Sequence, residues 1–285
     1  MATSEKVKEI ITQFHDDRTL PAVAIKVTKL INSPDSSIRE FEEIISLDPV
    51  LLTRLLRYVN SPMFSLVSRV DSISKAVVMV GMKELRNLVA VETVKTIFMS
   101  SDLDPPGLSR KDLWAHSATT AIVSRMVAQR IFEQDGEDAF LAGILHDIGM
   151  IAEMQVESMS FSKLCSSYMS GPGEIIEYEN SILGTNHTKV GTAICKDWNL
   201  DKGVMDAIRN HHNKKREYPL DSLTAILQIA DYISCRLKYS MIKEKYDRVS
   251  PFIGQHMKDM ASYYKILVKD VPAEIAKAGE LYDLE

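Results

Sequence analysis

The stretch LAGILHDIGM, residues 141–150, is an apolar helix-forming run that ends in a histidine and an aspartate side by side, His146 and Asp147. Outward from it, the other donors follow in order: His116 upstream, then His187, the pair His211-His212, and Asp231, each within helical sequence. Five of the seven histidines fall in this series. Imidazole nitrogens and carboxylate oxygens are the donors first-row divalent metals take when thiolates are absent. A neutral imidazole binds without adding charge, and a carboxylate has two oxygens, so Asp147 can bridge two ions. Two metals about 3.5–4 Å apart can hold both the attacking and the leaving oxygen of a phosphate ester. An adjacent His-Asp pair at a helix end can therefore supply a terminal and a bridging ligand, and His211-His212 offers two donors from one turn.

The flanking sequence reads as helix after helix. Ser37 and Glu40 form a capping box before Phe41, Ile44 and Ile45. Asp48 and Pro49 open a second helix, which Asn60-Ser61-Pro62 stops. Asp71 or Ser72 begins a third, ended by Gly81, and a fourth runs from about Lys83 toward Met99. The segment 102–107, rich in proline and glycine, is the clearest internal punctuation. It divides the chain into an N-terminal helical lobe, 1–104, and a second lobe, 105–285. Ser109 and Asp112 open a long helix reaching Phe132. A helix from about Glu137 carries His146-Asp147 at its end, with Gly149 following. Gly171-Pro172-Gly173 is a turn, helices cover roughly 174–183, 187–198, 201–213 and 220–240, and two shorter helices follow Pro251. Few glycines (12) and prolines (10), with no alternating β-branched runs, agree with an all-α chain.

Apolar residues make up 45% of 285, enough for a sizeable core. A net charge of -5 argues against a broad nucleic-acid or anionic-membrane footprint. No uncharged apolar run reaches about 18 residues and the N-terminus lacks an apolar signal segment, so no membrane association is expected. Cys165, Cys195 and Cys235 are widely spaced without a CxxC, as reduced and mostly buried thiols would be; the location expected is cytoplasmic. His15 and His256 lie outside the donor series and are read as surface residues. Met79, Met82, Met99 and Met126 are read as core filling, with an adaptable docking surface as the alternative. Lys214, Lys215 and Arg216 form a solvated loop or, beside a metal site, an attraction for phosphate. Residues 72–94 have the outline of a helix-turn-helix. The first of its helices reads as buried and the second has little net positive charge, so nucleic acid is not the expected partner.

At these residues the chain resembles a known family. His116, LAGILHDIGM (141–150), ENSILGTNHTKVG (179–191), AIRNHHN (207–213) and QIADYIS (228–234) resemble the HD superfamily of metal-dependent phosphohydrolases. In the first half, LPAVAIKVTKLINSPDSS (20–37), ISLDPVLLTRLLRYVNSPMF (45–64) and SISKAVVMVGMKELRNLV (72–89) resemble the HDOD domain, a relative of the HD-GYP domain. The resemblance covers roughly residues 18–235. It implies an all-α fold, an N-terminal helical lobe followed by an HD-type lobe, and a divalent, binuclear iron or manganese centre. One metal would lie on His116, His146, Asp147 and Asp231; a second would share Asp147 and add His187, His211 and His212. HDOD domains are associated with bacterial signal transduction, which implies a signalling protein as partner. The HD-GYP enzymes imply instead a phosphodiesterase with a nucleotide or cyclic-dinucleotide ligand and Asp147 as catalytic residue. Two departures bear on that second reading. Where HD-GYP enzymes have HDxGK this chain has Met150, which carries no charge, and the GYP segment after the double histidine is replaced by NKKREYPLDS (213–222).

Overall fold

In the computed structural model, residues 4–17, 37–61, 64, 66, 68–99, 104, 108–237, 239 and 249–282 are described. The readings made for residues 20–36, Pro62, the 102–107 punctuation apart from Asp104, and the side chain of His15 lie outside them.

Side chains that cap backbone N–H groups start the first helices where the sequence predicts. The Ser37 hydroxyl accepts from the Glu40 N–H while the Glu40 carboxylate accepts from the Ser37 N–H, opening α2 (Ile38–Ile45); α1 is Glu5–Asp17. Asp48 accepts from the N–H groups of Val50 and Leu51 at the head of α3 (Pro49–Val59), which ends at Asn60. Ser72 caps α4 (Ile73–Val80). Gly81, at φ +89°, a backbone conformation L side chains rarely adopt, separates it from α5 (Met82–Phe98). Phe41, Ile45, Leu55, Tyr58, Ile73 and Leu85 are buried together in a small core.

The larger core is built by α6 (Arg110–Ile131), α7 (Glu137–Leu145), α8 (Ile148–Val156), α9 (Ser158–Ser170), α10 (Ile175–Ile182), α11 (His187–Asp197), α12 (Lys202–Asn210), α13 (Leu223–Arg236), α14 (Pro251–Asp259) and α15 (Ala261–Tyr282). Among the described residues there is no strand. Helix α6 is the spine, packed along α7, α13 and α15. Helix α1 joins this core rather than the small one, burying Val7, Ile10 and Phe14 beside α8 and α11. Helix α5 belongs to both: Leu85, Leu88 and Val89 pack in the small core, and Val91, Val94 and Phe98 in the large one. Polar contacts fix α5 to the second core. Arg86 donates to Asp138 (2.7 Å), Asn87 to the Glu137 carbonyl (2.9 Å), and Arg125 lies 2.7 Å from both Glu84 and Glu137.

Several expectations need correction. The helix from Glu137 ends at the His146-Asp147 doublet as expected, but another starts at once: Gly149 sits in the first turn of α8, and α8 and α9 occupy residues 148–156 and 158–170, which the sequence reading left without elements. The final helix is long, running 22 residues through Pro272. Of the helix-turn-helix outline, α5 is the buried element, whereas α4 exposes Val78 (77%) and Met79 (48%); a helix enclosed like α5 cannot enter a groove of DNA. Met126 fills core, but Met79 and Met99 are exposed. His256 is half-buried, stacked on Phe132 with ring centroids 5.5 Å apart. The window Glu137–Val156, although apolar and long enough to span a bilayer, is 89% buried inside the protein.

Candidate metal centre

Helix ends position most of the donors. His146 closes α7 and Asp147 stands in the break before α8; His187 is the first residue of α11, after its cap Asn186; His211 closes α12, with His212 in the turn beyond. His116 projects from the middle of α6 and Asp231 from α13. Gly149 and Gly143 allow the approach. A Cβ on Gly149 would lie 2.1 Å from the His187 carbonyl oxygen, and one on Gly143 would lie 2.5 Å from the Ala121 Cα on α6. Without side chains there, α8 closes on α11, and α7 on α6.

All seven predicted residues meet in one pocket. The two oxygens of Asp147 divide between two imidazole pairs. Oδ2 faces the Nε2 atoms of His146 (3.1 Å) and His116 (3.6 Å); Oδ1 faces those of His187 (3.5 Å) and His211 (3.7 Å). Asp231 Oδ1 is 3.3 Å from His116 Nε2, and the His212 ring stands 4.2 Å from that of His211, centroid to centroid. Donor atoms of Asp147, His187, His211 and His212 lie within 4.8 Å of one another, as do those of His116, His146 and Asp147.

The tautomers follow from the other ring nitrogen. His146 and His211 fold Nδ1–H back onto the carbonyls of Gly143 and Ile208, three residues earlier (2.8 and 2.7 Å), and His116 donates to the Tyr239 carbonyl (2.7 Å). A carbonyl only accepts, so each Nδ1 bears a proton and each Nε2 is left to face the pocket. The Nε2 atoms of His116 and His146 stand 3.2 Å apart, and among the described residues the buried Asp147 Oδ1 has no hydrogen-bond partner. Imidazole nitrogens gathered around an unsatisfied carboxylate oxygen are the donor chemistry a divalent cation takes. Burial pushes the Asp147 carboxyl up, but His146, then His211 and His187, outweigh it and hold it well below the usual carboxylate range. Burial and then His212 bring the His211 imidazole down to about 4, so it is neutral at pH 7 and can donate its lone pair to a metal. The residues present therefore fit a divalent cation.

Two buried carboxyls beside the cluster escaped the sequence reading. Glu179 is fully buried on α10 and accepts from His187 Nδ1 at 2.7 and 2.9 Å, orienting that ring as outer carboxylates orient metal-binding histidines. Glu153 on α8 is also fully buried. Burial first, then Glu179 and Asp147, push it well above the usual range. The only local signal for Glu179 was its place eight residues before His187, which says nothing about burial.

Helices that bring imidazoles and carboxylates to one water-poor point define an all-α protein with the donor set of a divalent-metal centre. The family follows from comparison. The model of the HDOD domain matches residues 18–214, and the chain belongs to that family. An uncharacterized protein of Treponema pallidum is 28% identical over 214 residues, 74% of this chain and 40% of that one, so the chain spans well under half the length of this curated relative. Among solved structures, a candidate phosphohydrolase from Shewanella amazonensis superimposes with a TM-score of 0.68 at 22% identity, covering 96% of each chain. A candidate signal transduction protein from Marinobacter aquaeolei gives 0.73 at 18% identity, covering 96% of this chain and 64% of that one. At such identities the structures establish the fold alone.

Proposed function

We propose that this chain is a signal-transduction module of the HDOD type that works through protein contacts and keeps a metal-occupied HD site. The observation that carries the metal assignment is the division of the Asp147 oxygens between His116-His146 and His187-His211, with no hydrogen-bond partner for Oδ1 among the described residues. His116, His146, Asp147 and Asp231 would hold one ion; Asp147, His187, His211 and His212 the other. A bound divalent cation would supply charge neutralisation and, with an open coordination position, Lewis acidity. The chain's own residues orient the rings: Glu179 fixes that of His187, and the carbonyls of Gly143, Ile208 and Tyr239 fix three others. Against hydrolysis stands Met150, which is completely buried, so position 150 presents neither charge nor hydrogen bond to a ligand.

One observation favours the second reading, a metal-dependent phosphohydrolase acting on a nucleotide or cyclic dinucleotide. A small, partly open cavity of about 10 Å³ is lined by His211, His212, Asp231 and Lys214, which sets a cationic side chain beside the donors, where a phosphate group would be drawn. The test is metal analysis of the purified chain, followed by assays on bis(p-nitrophenyl) phosphate and cyclic di-GMP with iron or manganese added. Bound metal without turnover is the expected result. Turnover abolished by Asp147→Ala would replace the module reading with the enzyme, and a chain that takes up no metal would refute both.

A further inference from the structure

One donor beside the pocket belongs to none of the seven residues above. Cys235 lies one helical turn beyond Asp231 on the same face of α13 and points its Sγ to 3.5 Å from Asp231 Oδ1. Donor atoms of His116, Asp231 and Cys235 all lie within 4.8 Å of one another. The neighbouring imidazole aims at the same point: His116 is buried, its Nδ1 is held by the Tyr239 carbonyl, and its Nε2 lies 3.3 Å from Asp231 Oδ1, so imidazole, carboxylate and thiol converge as a candidate ligand set. Cys235 and Asp231 also line the small, partly open cavity beside the pocket. The other two thiols differ. Cys165 and Cys195 are buried in the apolar core, and burial pushes Cys165 up to about 12.

We propose that Cys235 is a further ligand of the His116–Asp231 metal position, and that its sulfur selects a borderline ion such as zinc, cobalt or ferrous iron over manganese or magnesium. On binding, the S–H bond gives way to an S–metal bond and the proton leaves to solvent; no electron is transferred. Softer thiolate donors favour such ions, whereas oxygen-only sets suit manganese and magnesium. The inference rests on the metal-site reading above, and the experiment separates the two.

The full chain, stripped with chelator, is titrated with cobalt(II) in the absence of oxygen. The wild type should develop visible ligand-field bands together with a near-ultraviolet sulfur-to-cobalt charge-transfer band. Cys235→Ser should keep the ligand-field bands and lose the charge-transfer band. X-ray absorption of the zinc-loaded wild type should show a sulfur scatterer at about 2.3 Å beside nitrogen and oxygen at about 2.0–2.2 Å. Ligand-field bands without the ultraviolet band in the wild type, an ultraviolet band that survives Cys235→Ser, or a zinc shell without sulfur would overturn the Cys235 assignment and leave the metal centre standing. Failure to take up cobalt or zinc would overturn both.

Discussion

Gly149→Ala adds one methyl group where two backbones almost touch. Its Cβ would stand 2.1 Å from the His187 carbonyl oxygen and 2.8 Å from the Gly191 nitrogen, both main-chain atoms that cannot rotate aside. Real Cβ contacts essentially never fall under 3.0 Å, so α8 and α11 must part by roughly 1 Å. Overpacking of this kind costs about 1–3 kcal/mol. The same displacement pulls Asp147, two residues from the methyl, away from His187, whose Nε2 now lies 3.5 Å from Asp147 Oδ1. Gly254→Ala is the matched control. It lies inside α14, where among the described residues its Cβ would meet only a Val249 methyl at 3.7 Å, so the ordinary helix preference for alanine should stabilise by about 0.5–1 kcal/mol. Urea unfolding with the slope held constant gives both values, and zinc titration of each variant reads the site. Equal stability of the two variants, or unchanged zinc affinity in Gly149→Ala, would refute the claim that this contact sets the distance between the two halves of the pocket.

Three further outcomes are expected. Glu179→Gln keeps an oxygen for His187 Nδ1 but removes the charge, and metal affinity should fall about 10–100-fold, measured by competition with a chromophoric chelator. Chelation should lower the stability of the metal-loaded chain, by about 2.7 kcal/mol if the free metal had stood at 100 times its dissociation constant, and Asp147→Asn should erase the difference between loaded and stripped protein in thermal melts. At the junction of the cores, burial and then Glu137 push Glu84 up to about 8 from an ordinary 4.5, against the pull of Arg125. Unfolding therefore releases a proton between those values: the stabilising effect of the protonated carboxyl is complete below pH 4.5 and is lost as pH rises through 8. Glu84→Gln should flatten the decline of the urea midpoint over that range, and a slope identical to wild type would contradict the assignment.

The seven converging residues were legible because each is a polar type with few reasons to be buried; five stand at or beside a predicted helix end, while His116 and Asp231 lie inside helices. Ser37, Asp48, Ser72 and Ser109 announced their helices because capping is local and needs no knowledge of the remainder of the chain. What failed was nonlocal. Nothing beside Gly149 in the sequence marks it as a contact point; only the approach of α11 shows it. Helices α8 and α9 lack side-chain caps, so nothing local marked where they begin. The exposure of α4 and enclosure of α5 are decided by which side the second core occupies. Glu179 reads as one acid among several in EIIEYENS (174–181), and its role is visible only once His187 lies against it. Cys235 went unassigned because its spacing from Asp231 matters only if His116 closes the third corner.

Helix α5 carries one further consequence. It is a girder embedded in two masonry blocks: Leu85, Leu88 and Val89 anchor it in one, Val91, Val94 and Phe98 in the other, with Arg86 and Asn87 riveted to α7. Neither block can melt away without baring half of the girder, so loosening of one is felt by the other, and torque applied to the smaller block arrives at the helix whose last turn leads into His146.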